Sequence, residues 1–361
     1  MTKQPIRSFL LILILVTIAV AQDLNPPKLT PGPSTDKEEA LIKEGVALHD
    51  RGDYGGAISK YEEALKANPN NVLAMYEMAY SLFLKKDHRK SLETAYKGAQ
   101  YKSEHLVHLY VLIGNNLDVM GDPKKAVEVY KKGIELEPDV SMLHYNLAIT
   151  YNNLNKPEDA KKALKKAVQL EPNHPSSHLA LGTIFHKTGY KTPALLAFSR
   201  FLVLEPKSER AAGTFPVFKQ TLSGGAAPGK NPNEITVFFN VDAKKDEGDF
   251  GSIDLVMGLS GAAAMSEKNQ GKSQAELLVG QLETYLAILT EIDPKGDKGK
   301  FTFKYYIPYF AEMKKRNFVE PFGYYISQRS NLEGVDKWLA ANSNRVNEFL
   351  NWSKSFQWAK D

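Results

Sequence analysis

Small, aromatic and proline positions recur through the first half of this chain with a period of 34 residues. Gly45, Gly52, Ala57, Tyr61, Ala64 and Pro69 reappear as Gly114, Gly121, Ala126, Tyr130, Gly133 and Pro138. They return as Ala148, Asn155, Ala160, Leu164, Ala167 and Pro172, then as Gly182, Gly189, Ala194, Phe198, Phe201 and Pro206. A fixed period of this length predicts a stack of helix pairs, each burying its apolar face on its neighbours. The in-phase segments are 38–71, 107–140, 141–174 and 175–208. A weaker repeat lies between them at about 72–106, with Lys86, Ser91, Ala95, Gly98 and Ser103 at the marked places and one residue more than the period.

Each recurring position has a physical reason. Gly45, Gly114, Ala148 and Gly182 are small so that the two helices of a pair can approach, with Ala57, Ala126, Ala160 and Ala194 facing them. Tyr61, Tyr130, Leu164 and Phe198 fill the space beside those contacts. Gly52, Gly121 and Gly189 suit a turn with positive φ, and Asn155 is the next best residue there. Pro69, Pro138, Pro172 and Pro206 end each second helix.

The small–small–aromatic–small–proline spacing resembles the tetratricopeptide repeat (TPR) family over just under half the chain. The resemblance implies an all-α fold, a five-repeat superhelix whose concave groove holds a peptide or protein partner. Residues 208–222 predict one closing helix with Ala211, Ala212, Phe215, Phe218 and Leu222 on its apolar side, kinked at Pro216. The repeat region with its capping helix thus runs from 37 to 222.

Glycine and proline crowd residues 223–234, which reads as a linker and domain boundary. Beyond it the period is lost. Residues 235–241 fit a short strand or the start of a helix equally well. The rest predicts a separate helical domain over 235–361. Ser273-Gln274-Ala275-Glu276 is a capping box, followed by Leu278, Leu282, Tyr285, Leu286, Leu289 and Ile292 at three- and four-residue steps. Further helices are predicted at 253–266, 301–316, 318–328, 333–341 and 344–357. This half resembles, loosely, uncharacterised C-terminal regions of exported bacterial repeat proteins, which supplies no activity.

The N-terminus reads as an export signal. Lys3 and Arg7 precede an apolar run from Phe9 to Ala21, and Ala19-Val20-Ala21 fits a small-x-small cleavage site that leaves Gln22 first. The run is 13 residues, and a spanning helix needs about 20. The expectation is a periplasmic or secreted protein with no membrane span after cleavage at 21; an uncleaved N-terminal anchor is the alternative. Pro26, Pro27, Pro31 and Pro33 make 22–36 an extended spacer. With no cysteine, thiol catalysis, disulfides and cysteine-ligated zinc are excluded. The net charge of +4 becomes +2 without Lys3 and Arg7 and does not argue for nucleic acid. Oligomeric state is not specified.

In the resembled family, ligand-facing side chains lie on first helices at the second, fifth, ninth, twelfth and thirteenth repeat positions. Carried onto the central repeats, these are Tyr76, Tyr80, Phe83, His108, Asn115, Asp118, Tyr145, Asn152, Asn153, His186 and Lys187. Tyrosines offer rigid apolar area and amides can bond a peptide backbone. Members that grip a C-terminal carboxylate use a lysine–asparagine clamp; here Lys187 is the one lysine at these positions, which argues against a clamp. Packing of Tyr76, Tyr80 and Phe83 on the first repeat is the alternative use of these rings. The histidine pairs His105/His108 and His144/His178 are read as packing, with no metal or other cofactor expected. Ten aromatic residues between Phe301 and Tyr325 fit the core of a helical domain better than a stacking surface for sugars. The second half has no histidine, and Glu283, Glu291, Asp293, Glu312 and Glu320 show no spacing that specifies chemistry. The reading is a binding scaffold and not an enzyme. A hydrolase or carbohydrate-binding protein with its active part in the C-terminal domain is the alternative.

Overall fold

A computed structural model describes residues 24, 26–229, 234–237, 246–264, 271–292 and 296–359. The expected signal segment, and parts of the expected linker and of the 235–241 segment, lie outside the described residues. Contacts divide the chain into two compact units, Met1–Leu109 and Tyr110–Asp361.

The first unit contains α1 (Asp36–His49), α2 (Tyr54–Ala67), α3 (Val72–Leu84), α4 (His88–Gly98) and the first turn of α5 (Leu106–Val119). Within each pair the turn is made by one left-handed residue, Gly52 (φ 81°) and Lys86 (φ 67°). Lys86 therefore takes, at the weak repeat, the conformation that glycine takes elsewhere at lower cost. Asp53 and Asp87 cap the second helices by accepting from the amides of Gly56 and Lys90. At Gly45 an added Cβ would come within 2.4 Å of the Tyr61 ring, so the helices touch where the pattern put its smallest residue. The proline-rich segment is extended but not a free spacer. Leu29 bridges Tyr101, its amide donates to the Gln100 carbonyl, and Asn68 and Asn71 donate to Pro33 and Ser34.

The second unit continues with α6 (Pro123–Leu136), α7 (Ser141–Asn153), α8 (Pro157–Leu170), α9 (Pro175–Lys187), α10 (Lys191–Leu204) and α11 (Glu209–Leu222). Gly121, Asn155 and Gly189 are the left-handed turn residues. In both units each second helix of the in-phase repeats stops two residues before Pro69, Pro138, Pro172 or Pro206. Added Cβ atoms at Gly114 and Gly182 would meet Tyr130 at 2.3 Å and Phe198 at 2.6 Å. Helix α11 is the predicted cap and runs through Pro216.

Ile235–Thr236 pairs antiparallel with residues 227–228, so the ambiguous segment begins as a two-residue strand. The helices that follow are α12 (Gly251–Ala264), α13 (Gln274–Glu291), α14 (Ile307–Lys315), α15 (Val319–Ile326), α16 (Val335–Ala341) and α17 (Ser343–Ser355). The Ser273/Glu276 capping box is formed in both directions. A π-helical turn, Thr302–Tyr306, leads into α14.

Residues 223–234 fall inside the second unit, where the C-terminal helices pack on α10, a helix with few polar residues. Its residues Thr192 to Val203 are all buried. A helix that is hydrophobic all round must be enclosed, and one capping helix cannot enclose it. Arg200 in the middle of α10 is 1% exposed. It donates to Ser353 (2.8 Å), Asn173 (2.6 Å) and the Pro172 carbonyl (3.4 Å), and lies over the rings of Tyr309 and Trp358 at 5.3 and 5.0 Å. Tyr305 donates to the Val168 carbonyl at 2.5 Å. His178 holds the Pro172 carbonyl and the Tyr306 hydroxyl. Burial, then the Arg200 charge, pushes its imidazole down to about 3, so it is neutral.

Candidate functional site

The site is built first from α3. Residues four apart share a helix face, which brings Tyr76 and Tyr80 together with parallel rings 6.4 Å apart. Around them stand rings from two other elements of the first unit. His49, at the end of α1, lies 4.9 Å from Tyr80 and is fixed by a 2.7 Å hydrogen bond between Nδ1 and the Ser81 hydroxyl. His105, just before α5, stacks on Tyr76 at 5.8 Å, and His108 approaches the same ring at 5.4 Å. The result is one stripe: His49, Tyr80, Tyr76, then His105 and His108.

Tyr80 is 36% exposed and His108 is exposed, whereas Tyr76 is half-buried. Burial, then the neighbouring Glu77, raises the Tyr76 hydroxyl above its ordinary value. Burial also lowers His105, which is reinforced by His108 and opposed by Glu104. Glu77 is raised by burial, then by Asp50. The stripe is therefore half-buried at Tyr76 and open to solvent at Tyr80 and His108.

The structure thus joins three of the expected residues, Tyr76, Tyr80 and His108. It does not join Phe83, whose ring meets His88 edge-on at 5.2 Å. His49 and His105 were missed. His49 occupies the twelfth position of the first repeat, so the position rule finds it once it is extended beyond the central repeats. His105 precedes its helix, where the rule has nothing to say.

In the second unit two expected residues serve the scaffold. Asn115 accepts from the Tyr130 hydroxyl at 2.6 Å, and Asp118 accepts from Thr150 at 2.9 Å. Tyr145 meets the His174 ring edge-on at 5.2 Å. Asn152, Asn153, His186 and Lys187 lie on first helices, with His186 Nδ1 3.4 Å from the Thr221 hydroxyl. His144 and His178 play one repeated role, each bonding the carbonyl of the proline six residues before it, Pro138 or Pro172.

The C-terminal aromatics are mostly core. Tyr305, Tyr306, Tyr309, Phe310, Phe322 and Tyr324 are buried. Trp352, Phe356 and Trp358 pack on Tyr309, and Trp338 stacks on Tyr324 at 4.1 Å. Among the candidate carboxylates, Glu312 is paired with Arg316 and Glu320 with Arg345. Asp293 lies outside the described residues. No helix among the described residues is long and apolar enough to cross a membrane.

Comparison with known families decides the repeat half. The tetratricopeptide repeat profile matches residues 141–174, a second profile of that description matches 107–140, and a TPR repeat profile matches 45–86. The chain carries tetratricopeptide repeats. Two of the matches coincide with the frame set by the 34-residue period. The fold of such repeats implies a protein–protein interaction scaffold.

Among curated proteins, the chain is 30% identical over 119 residues to small glutamine-rich tetratricopeptide repeat-containing protein 2 of Mycosarcoma maydis, covering 33% of this chain and 34% of that protein. It is 28% identical over 110 residues to a TPR repeat-containing protein of Methanocaldococcus jannaschii, covering 30% and 19%. The match to each relative thus spans about a third of its length or less. Among solved structures, a thermophilic TPR protein of Thermus thermophilus aligns at 22% identity and a TM-score of 0.43, covering 51% of this chain and 98% of that one.

Proposed function

We propose that this protein is an exported scaffold that captures an extended peptide segment of a protein partner, anchored on the stripe of the first unit. The observation that carries the reading is the alignment of His49, Tyr80, Tyr76 and His108 on one stripe, each from the first helix of a repeat. Flat rings with an exposed edge offer contact area at small entropic cost, and tyrosine is enriched among binding hot spots. The basic–apolar–Ala19-Val20-Ala21 pattern supports export.

The test is affinity capture from the host's own envelope fraction, quantified by mass spectrometry for the native protein and for Tyr80→Ala. Truncating such an anchor costs about 2 kcal/mol, so the partner retained by the native protein should bind the variant about 30-fold more weakly. Equal retention by both proteins would remove the stripe from the binding surface.

A further inference from the structure

The second unit holds a cavity that none of the expected groove residues lines. It is an open concavity of about 740 Å³ between α6, α7, α8 and residues 299–304, with Lys131, Lys162 and Lys304 exposed at its rim. That is the size of a small-molecule site. Lys131 of α6, Lys162, Lys165 and Lys166 of α8, and Lys304 of the π-helical turn all line it. The carboxylates on its wall are Glu135 and Asp159, so ammonium groups outnumber them five to two.

Lys165 is already paired with Glu247, and its ammonium lies 5.3 Å from the centre of the Phe301 ring. Lys131, Lys162 and Lys304 form no ion pair among the described residues. They come from three separate elements. Gathering like charges around one concave space raises the local potential, and a bound anion relieves that repulsion. Phe301 and Leu147 supply an apolar wall beside the charges.

We propose that this cavity binds a small organic polyanion: two or more phosphate or carboxylate groups carried on a planar or apolar body. The lysines hold the anionic oxygens as charge-assisted donors, and Phe301 takes the body. The site is independent of the peptide-binding stripe.

Isothermal titration of the purified protein at constant ionic strength tests the proposal, with pyrophosphate, citrate, adenosine triphosphate and acetate as probes. At least one polyanion is expected to bind one-to-one and at least tenfold tighter than acetate. Preference for citrate assigns carboxylates, preference for pyrophosphate assigns phosphates, and preference for the nucleotide adds the planar body. Lys131→Gln combined with Lys162→Gln should weaken that probe at least tenfold with an unchanged circular dichroism spectrum. Lys304→Gln, on a different element, should weaken it too. Lys66→Gln with Lys97→Gln, on exposed helix surface of the first unit, should leave it unchanged. The proposal fails if no polyanion outbinds acetate, or if the two lysine pairs weaken binding equally.

Discussion

Gly182 and Phe198 offer a quantitative test of how the repeats are packed. Gly182 lies in α9 and Phe198 in α10, and both are buried. A Cβ at 182 would stand 2.6 and 2.8 Å from the Phe198 ring carbons. The ring cannot swing away, since α10 is enclosed throughout. Overpacking of this kind costs about 1–3 kcal/mol, against a helix-propensity gain of about 1 kcal/mol for Gly→Ala. Gly182→Ala should therefore destabilise by up to about 2 kcal/mol net. Phe198→Leu alone should cost about 1–2 kcal/mol through lost contact and cavity. The neighbouring repeat already uses the alternative pair: Ala148 and Leu164 hold these places in α7 and α8, both fully buried. The double variant recreates that pair, so it should fall within about 1 kcal/mol of the native protein, with a coupling of about 1–3 kcal/mol. Urea unfolding followed by tryptophan fluorescence reads this unit alone, because Trp338, Trp352 and Trp358 all lie in it. Effects that add to within about 0.5 kcal/mol would refute the claim that the glycine is small because of the ring.

Two further predictions concern the packing of α9 and α10 against the C-terminal helices. His178 is folded as the neutral imidazole with its pKa lowered to about 3, while an unfolded histidine titrates near 6.5. Its contribution is intact above pH 6.5 and is lost as pH falls from there towards 3, by up to about 1.4 kcal/mol per pH unit. Fluorescence-monitored stability of the native protein against His178→Gln should therefore show a slope about one proton shallower in the variant over this window; identical slopes would mean that His178 is not held neutral. Nicking the chain within 223–234 should leave the two fragments together on size exclusion, because Arg200, Tyr305 and His178 tie them; fragments that separate without denaturant would contradict that packing.

Much of the fold was legible. Local rules set the helix pairs, their turns at Gly52, Gly121, Asn155 and Gly189, and the capping box at Ser273, and local rules can be read from sequence. The position of the C-terminal helices was not, since it rests on contacts more than a hundred residues apart, such as Tyr309 with Arg200. One signal was available: the run from Pro193 to Leu204 has Ser199 and Arg200 as its sole polar residues and leaves no face for water. The stripe was half legible, because spacing fixes Tyr76 and Tyr80 on one face, whereas His49 and His105 join them through the stacking of neighbouring elements. Asn115 and Asp118 show the limit of a positional rule. It places a polar side chain on the right helix but cannot tell that a tyrosine or threonine of the same scaffold already holds it.

The central claim, capture of a peptide segment on the aromatic stripe, is tested most directly by site-specific photo-crosslinking in the living host. A photoreactive amino acid is placed at Tyr80 or, as a control, at Lys97 on the exposed surface of α4. The account predicts one discrete crosslinked partner from position 80, joined through a short contiguous segment, with yield falling when Tyr76→Ala is added. A partner joined from position 97 and not from position 80 would contradict it.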